Sequence, residues 1–340
     1  MNRSVIILFA FLSLTCEPES LLVDAGSASH ITLTVRNLQT LPHGEGHYEA
    51  WISFSSSGIS KSSAKSSATS LAKGLGVQHN ESSYVSIGRF NVDSAGHLLG
   101  MDGTPFTPRF AKVRNPQYMA DAIMTIEAEG DSDDIPGPAF IGGIVSGDPR
   151  VASASLSTEY EDAIGDNISV AQGNFLLATP TSSDTADSSS GIWLMKSLAP
   201  LASGFVDLPP LGARWRYEGW VRSCCLGTPE HREYLNFSTG KFGSATGFDS
   251  DSAGARKGPT GPGYPFPGQD FTGVKRMILN NGSYEVMITI EPEPDNSSYP
   301  FETLTLFAPE RIPATVSPGV PQQLHNNAAA LPAAKIRVVK

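Results

Sequence analysis

Three kinds of short word in this chain of 340 residues carry the residue types from which catalytic and metal centres are built. His43-Gly44-Glu45-Gly46-His47 sets two imidazoles four residues apart around a carboxylate. Histidines at that spacing share a face only on a helix, and two glycines following Pro42 disfavour one, so the word reads as a polar turn rather than a zinc or copper site. Asp131, Asp133 and Asp134 offer hard carboxylate oxygens of the kind calcium takes, echoed loosely by Asp249 and Asp251. Neither stretch has EF-hand or nonapeptide-repeat spacing, so solvated acidic turns compete with a weak ion site. Ser62-Ser63-Ala64-Lys65 and Ser70-Leu71-Ala72-Lys73 match S-x-x-K, but inside a serine-biased tract where chance matches are expected. The chain has no G-x-S-x-G elbow, no phosphate loop ending in Lys-Ser/Thr and no dinucleotide fingerprint. Paired carboxylates drawn from distant positions, as β-sandwich glycosidases use them, leave no local word, and nothing in the sequence singles out such a pair.

The cysteines bear on compartment. The first sixteen residues read as an export signal: Arg3 gives a short positive region, and Val5 to Leu12 form an apolar run too short to span a bilayer. A cysteine directly after such a run resembles the lipobox of bacterial lipoproteins, in which Cys16 would be diacylated and become the mature N-terminus. Ser13 and Thr15 stand where that pattern has a leucine and a small residue, and a plain signal peptide is the competing reading. Beyond Cys16 only the neighbours Cys224 and Cys225 remain, too close for ordinary disulfide geometry and without a third ligand at metal spacing. No cofactor is expected. The formal charge of −10, with no basic run, argues against a nucleic-acid partner. No later segment offers 18 consecutive apolar residues for a membrane span.

The elements that would carry any chemistry show an internal repeat. Leu41-Pro42 precedes His47-Tyr48-Glu49-Ala50-Trp51-Ile52, and Leu208-Pro209-Pro210-Leu211 precedes Arg216-Tyr217-Glu218-Gly219-Trp220-Val221. Each continues to a small word, Ile87-Gly88-Arg89-Phe90 and Thr239-Gly240-Lys241-Phe242, and closes on Thr125-Ile126-Glu127 and Thr289-Ile290-Glu291. The stretches are strand-like: Ile31 to Val35 alternates, as does part of Tyr284 to Ile290, and Asn174–Ala178, Gly191–Met195 and Phe301–Phe307 are further candidates. With 33 glycines, 25 prolines and only 17% charged residues, the expectation is all-β: two tandem sandwich domains, immunoglobulin-like or barrel-like, related by duplication. The expected boundaries are a signal peptide over 1–16, domains over 17–150 and 171–315, a linker over 151–170, and a Pro/Ala-rich tail over 316–340 able to add one last strand. Tyr48, Trp51, Gly88, Phe90, Tyr217, Trp220, Gly240 and Phe242 are the expected core signature.

The order LP…Y-[EQ]-x-W…G-x-F…T-[IV]-E-P resembles the C-terminal extracytoplasmic domain of the anti-sigma-K factor family. The second unit carries it through Leu208-Pro209-Pro210-Leu211, Tyr217, Trp220, Gly240, Phe242 and Glu291-Pro292. The first does so through Leu41-Pro42, Tyr48, Trp51, Gly88, Phe90, Glu127 and Pro136-Gly137-Pro138. The chain also looks like bacterial lipoproteins bearing Leu177-Ala178-Thr179-Pro180-Thr181, Ser190-Gly191-Ile192-Trp193 and Pro265-Phe266-Pro267-Gly268-Gln269-Asp270-Phe271. The resemblance implies an all-β fold outside the cytoplasm. Anti-sigma factors of the family hold their sigma factor with a cytoplasmic helical domain, joined to this module by a transmembrane helix. Neither is expected here, so any regulatory role would run through another envelope protein.

These readings converge on a non-catalytic envelope lipoprotein, anchored to the membrane at Cys16 and acting as a binding or structural module. Its partner would be an envelope protein of unknown identity. A secreted hydrolase or carbohydrate-binding module on a β-sandwich scaffold is the alternative, and it would need an acidic cleft.

Overall fold

The computed structural model describes residues 30–340 apart from 42–43, 45, 55–83, 111–115, 185, 198–202, 205–206, 224–225, 229–230, 245, 248, 250–265, 273–275 and 296. The proposed export signal with Cys16, His43 and Glu45, both S-x-x-K words, Cys224, Cys225 and Asp251 lie outside the described residues.

The regular elements described are strands and short 3-10 turns. In the first half the strands are β1 (His30–Arg36), β2 (His47–Phe54), β3 (Tyr84–Val92), β4 (Leu98–Gly100), β5 (Met119–Glu127), β6 (Ala139–Ile144), β7 (Ser146–Gly147) and β8 (Val151–Ser157). Next come β9 (Gly173–Leu177), β10 (Gly191–Trp193), β11 (Met195–Ser197), β12 (Ser203–Gly204), β13 (Trp215–Ser223), β14 (Leu226–Thr228) and β15 (His231–Glu233). The chain ends through β16 (Asn236–Phe242), β17 (Gly268–Asp270), β18 (Tyr284–Pro292), β19 (Thr305–Arg311), β20 (Gln322–Leu324) and β21 (Ala333–Val339). No helix among the described residues is long and apolar enough to cross a membrane.

A nine-stranded sheet runs β1-β21-β8-β6-β5-β2-β3-β4, with β7 beside β8; two four-stranded sheets run β17-β10-β9-β20 and β16-β13-β18-β19. Two hairpins, β11-β12 and β14-β15, complete the set, and the pairings are antiparallel. The expectation of an all-β protein built of packed antiparallel sheets therefore holds. Strands β8 and β21 alternate between buried and more exposed residues, as strands covered on one face do. Strand β5 is buried along its whole length and β2 at all but its last residue, so both faces of the sheet are covered there.

The expected boundaries shift in three places. The span read as a linker contains β8, whose seven residues pair with β21, because Val151-Ala152-Ser153-Ala154-Ser155-Leu156 alternates small apolar and serine residues. The tail supplies both β20 and β21, and β21 sits between β1 and β8 inside the first sheet. Glu302–Leu304 is a 3-10 turn, so the strand expected from Phe301 starts only at Thr305. One contiguous apolar core contains Tyr48, Phe90 and Phe140 from the first half together with Tyr217, Phe242 and Ile336. Across it, the Trp215 indole donates to the Ala139 carbonyl at 3.1 Å and Arg214 donates to the Pro136 carbonyl at 3.2 Å.

Candidate functional site: two buried carboxylate clusters

Strands β3-β2-β5 and β16-β13-β18 place the repeated words in the same register. Tyr48 lies opposite Phe90 and Ile126; Tyr217 lies opposite Phe242 and Ile290. Glu49 lies opposite Arg89 and Thr125; Glu218 lies opposite Lys241 and Thr289. Cross-strand partners point to one face, and strand side chains alternate with period two. That arithmetic puts Glu49, Trp51, Thr125 and Glu127 on the face opposite Tyr48, and Glu218, Trp220, Thr289 and Glu291 on the face opposite Tyr217.

The aromatic signature is therefore buried but divided. Tyr48 and Tyr217 enter the common apolar core, where they contact Phe90 (centroids 5.9 Å) and Phe242 (5.6 Å), while their hydroxyls donate to the Gln39 and Pro209 carbonyls at 3.0 and 2.6 Å. Trp51 and Trp220, three residues on, point the other way. Each indole N–H donates to a threonine, Trp51 to Thr125 at 2.8 Å and Trp220 to Thr289 at 2.9 Å. An indole can only donate, so each threonine hydroxyl is free to pass its own proton onward. Thr125 donates to Glu127 Oε1, and Thr289 donates to Glu291 Oε1. The same oxygens accept backbone N–H groups ten residues on, from Gly137 at 2.8 Å and Phe301 at 2.9 Å.

The glycine of the G-[RK]-F word has a backbone reason. Gly88 (φ 132°) and Gly240 (φ 95°) sit at register breaks opposite β2 and β13, and their N–H groups bond Ser86 Oγ at 3.1 Å and Ser238 Oγ at 2.9 Å. Those serines donate to Glu49 and, at 2.5 Å, to Glu218. The following basic residue reaches across the cluster. Arg89 Nε pairs with Glu49 Oε2 at 2.9 Å, whereas Lys241 Nζ pairs with Asp295 Oδ2 at 3.1 Å and its carbonyl at 2.8 Å.

Burial raises the carboxyls of Glu49 and Glu127 above the usual range, with Ser86 and Arg89 opposing the shift at Glu49. Glu291 goes furthest: burial, reinforced by the neighbouring charges of Glu218 and Asp295, pushes it up to about 8. Its Oε1 accepts two donors, so its proton belongs on Oε2, which is buried and has no hydrogen-bond partner.

Among the described residues, Glu218, Glu291 and Asp295 form a group in which one carboxylate oxygen from each lies within 4.8 Å of the others. Above it opens a cavity of about 450 Å³ lined by Arg216, Lys241, Phe242, Asp249, Glu293 and Asp295. A second cavity, about 360 Å³ and largely apolar, lies between Leu41, Asn236, Tyr299 and Phe301.

The expected site residues fare unequally. Asp131 Oδ1 accepts the Asp133 N–H at 2.9 Å and Asp133 Oδ1 accepts the Ile135 N–H at 2.8 Å, so this acidic loop turns its oxygens on itself; Asp134 is exposed. His47 is buried at the start of β2, and burial lowers its basicity. No local word singles out the buried carboxylate clusters, Glu49 with Glu127 and Glu218 with Glu291. Their signal was positional: a glutamate recurs at the same place in both units, within strands otherwise fit for a core. Compared with known proteins, the chain matches no family model, no curated protein and no solved structure.

Proposed function

We propose that this chain is an extracytoplasmic binding and structural protein, held at a membrane by a lipid on Cys16 and built from two copies of one β unit. The observation that carries the non-catalytic part is the use to which the repeated words are put. Tyr, Trp, Thr, Gly and Phe of each unit are spent on holding strands and buried carboxylates in place, and the same hydrogen bonds recur in both halves. Residues kept for turnover need access to substrate, whereas Trp51, Trp220, Tyr48 and Tyr217 are at most 1% exposed. The resemblance to the anti-sigma-K extracytoplasmic domain extends this reading to an envelope partner. Fractionation tests the placement: the full chain should travel with membranes and Cys16→Ala should become soluble outside the cytoplasm. A Cys16→Ala protein that stays membrane-bound, or a wild type retained in the cytoplasm, contradicts it.

The hydrolase reading has one observation in its favour, the acidic cavity bearing Asp249, Glu293 and Asp295. Against it, Glu291, whose carboxyl burial pushes up to about 8, has no surface exposure and is bonded to Thr289 and the backbone.

A further inference from the structure

We infer that Glu218, Glu291 and Asp295, beneath the acidic cavity of the second half, form a binding site for one calcium ion. Three observations carry this. One oxygen from each carboxylate falls within 4.8 Å of the other two. Calcium–oxygen bonds of ~2.4 Å place opposite ligands up to ~4.8 Å apart, while magnesium, at ~2.0–2.1 Å, needs a tighter shell. Second, Glu291 is fully buried beside Glu218 and Asp295, and its Oε2 accepts no hydrogen bond. A buried oxygen in that state costs stability unless something supplies a partner. Third, the cluster is rich in acidic oxygens: three carboxyl groups face the single ammonium of Lys241, which pairs with Asp295.

The first half shows what a closed version of this cluster looks like. There the guanidinium of Arg89 binds Glu49 Oε2 directly at 2.9 Å; Asp131, four residues after Glu127 as Asp295 is after Glu291, accepts the Asp133 N–H on Oδ1 just as Asp295 Oδ1 accepts the Ser297 N–H at 2.7 Å, so the closing contact is that of Arg89. In the second half a lysine replaces that arginine and reaches Asp295 instead. The cavity lined by Asp295, Glu293 and Asp249 gives an ion a route from solvent, and Asp295 is the member of the trio that borders it.

The inference does not depend on export or anchoring; either can fail and leave the other standing. Its test titrates calcium chloride into the chelator-stripped full chain in detergent, read by calorimetry and by thermal melting. One equivalent should bind with a dissociation constant of ~0.1–1 mM, the range of extracellular calcium modules, and raise the melting temperature. Asp295→Asn should weaken binding at least ~10-fold, since it removes one charged ligand of three. Asp131→Asn, at the corresponding place in the first half, should leave binding unchanged. Asp295 borders the cavity, so its amide variant keeps the comparison open if Glu291→Gln fails to fold; circular dichroism checks both. Lys241→Met removes the competing ammonium and should tighten calcium binding. An absence of heat and of any melting shift up to ~10 mM calcium overturns the site, as does equal binding by wild type and Asp295→Asn.

Discussion

The indole of Trp220 donates to the Thr289 hydroxyl at 2.9 Å across neighbouring strands, and Trp51 stands in the same relation to Thr125. A tryptophan on one strand thereby fixes the rotamer of a threonine on the next, and the threonine presents its proton to a buried glutamate. Two residues that look like core filling set the orientation of a buried carboxyl group.

Removing the tryptophan should therefore cost both packing and polar order. Trp220→Ala is expected to lose ~3–5 kcal/mol in chemical denaturation, the range for a large buried aromatic. Unchanged stability of that variant would contradict the packing described for Trp220.

Thr289→Val keeps the shape but deletes the bridge, leaving the indole N–H without an acceptor and Glu291 Oε1 with the Phe301 N–H as its remaining donor. The expected loss is ~1–3 kcal/mol, with Thr125→Val similar in the first half. A neutral result in both variants would show that the Trp–Thr–Glu chain contributes nothing to stability.

Gly240 holds a left-handed backbone (φ 95°) at the register break in β16. Gly240→Ala should cost ~1–2 kcal/mol through that conformation. Gly88→Ala should cost more, because its Cβ would also come within 2.7 Å of the Phe106 ring. Equal melting temperatures for the two variants and wild type would remove the backbone reason given for the G-[RK]-F word.

Glu291 gives the fold a pH dependence with a defined sign. Its carboxyl is held up at about 8 by burial and by Glu218 and Asp295, against an ordinary value of 4.5, while Thr289 and the Phe301 N–H pull it down. The folded state therefore holds the proton more tightly than the unfolded chain does. Its contribution is fully present below 4.5 and is lost as pH rises towards about 8. Glu127, raised in the same direction by burial, adds to the trend. With chelator present, denaturant midpoints should fall across that window, and Glu291→Gln should flatten the fall. A midpoint that rises with pH there would contradict the assignment.

Much of the architecture was legible because apolar residues recur at matched positions beside glycine and proline. The paired words marked β2, β13, β5 and β18, and the tail over 316–340 was read as able to add one last strand, which is β21. The linker was misread because Ala and Ser alternate weakly in Val151 to Ser157, and β8 owes its place to β21, far along the chain. Tyr and Trp were expected as core anchors and all four are buried; their three-residue spacing, odd in a period of two, sends them to opposite faces. The carboxylate clusters escaped notice because each gathers residues from three strands and a loop. Sequence distance hides such a group, and Glu49 and Glu218 stand as polar residues within strands that otherwise read as core.

The most direct test of the central claim, that both halves build the same Trp–Thr–Glu chain, is hydrogen exchange at the tryptophan indoles, followed by nitrogen-15 NMR. Trp51 and Trp220 Nε1–H should both exchange slowly, with Thr125→Val accelerating only the first and Thr289→Val only the second. Fast exchange at either indole in the wild type, or no response to its own threonine variant, would contradict it.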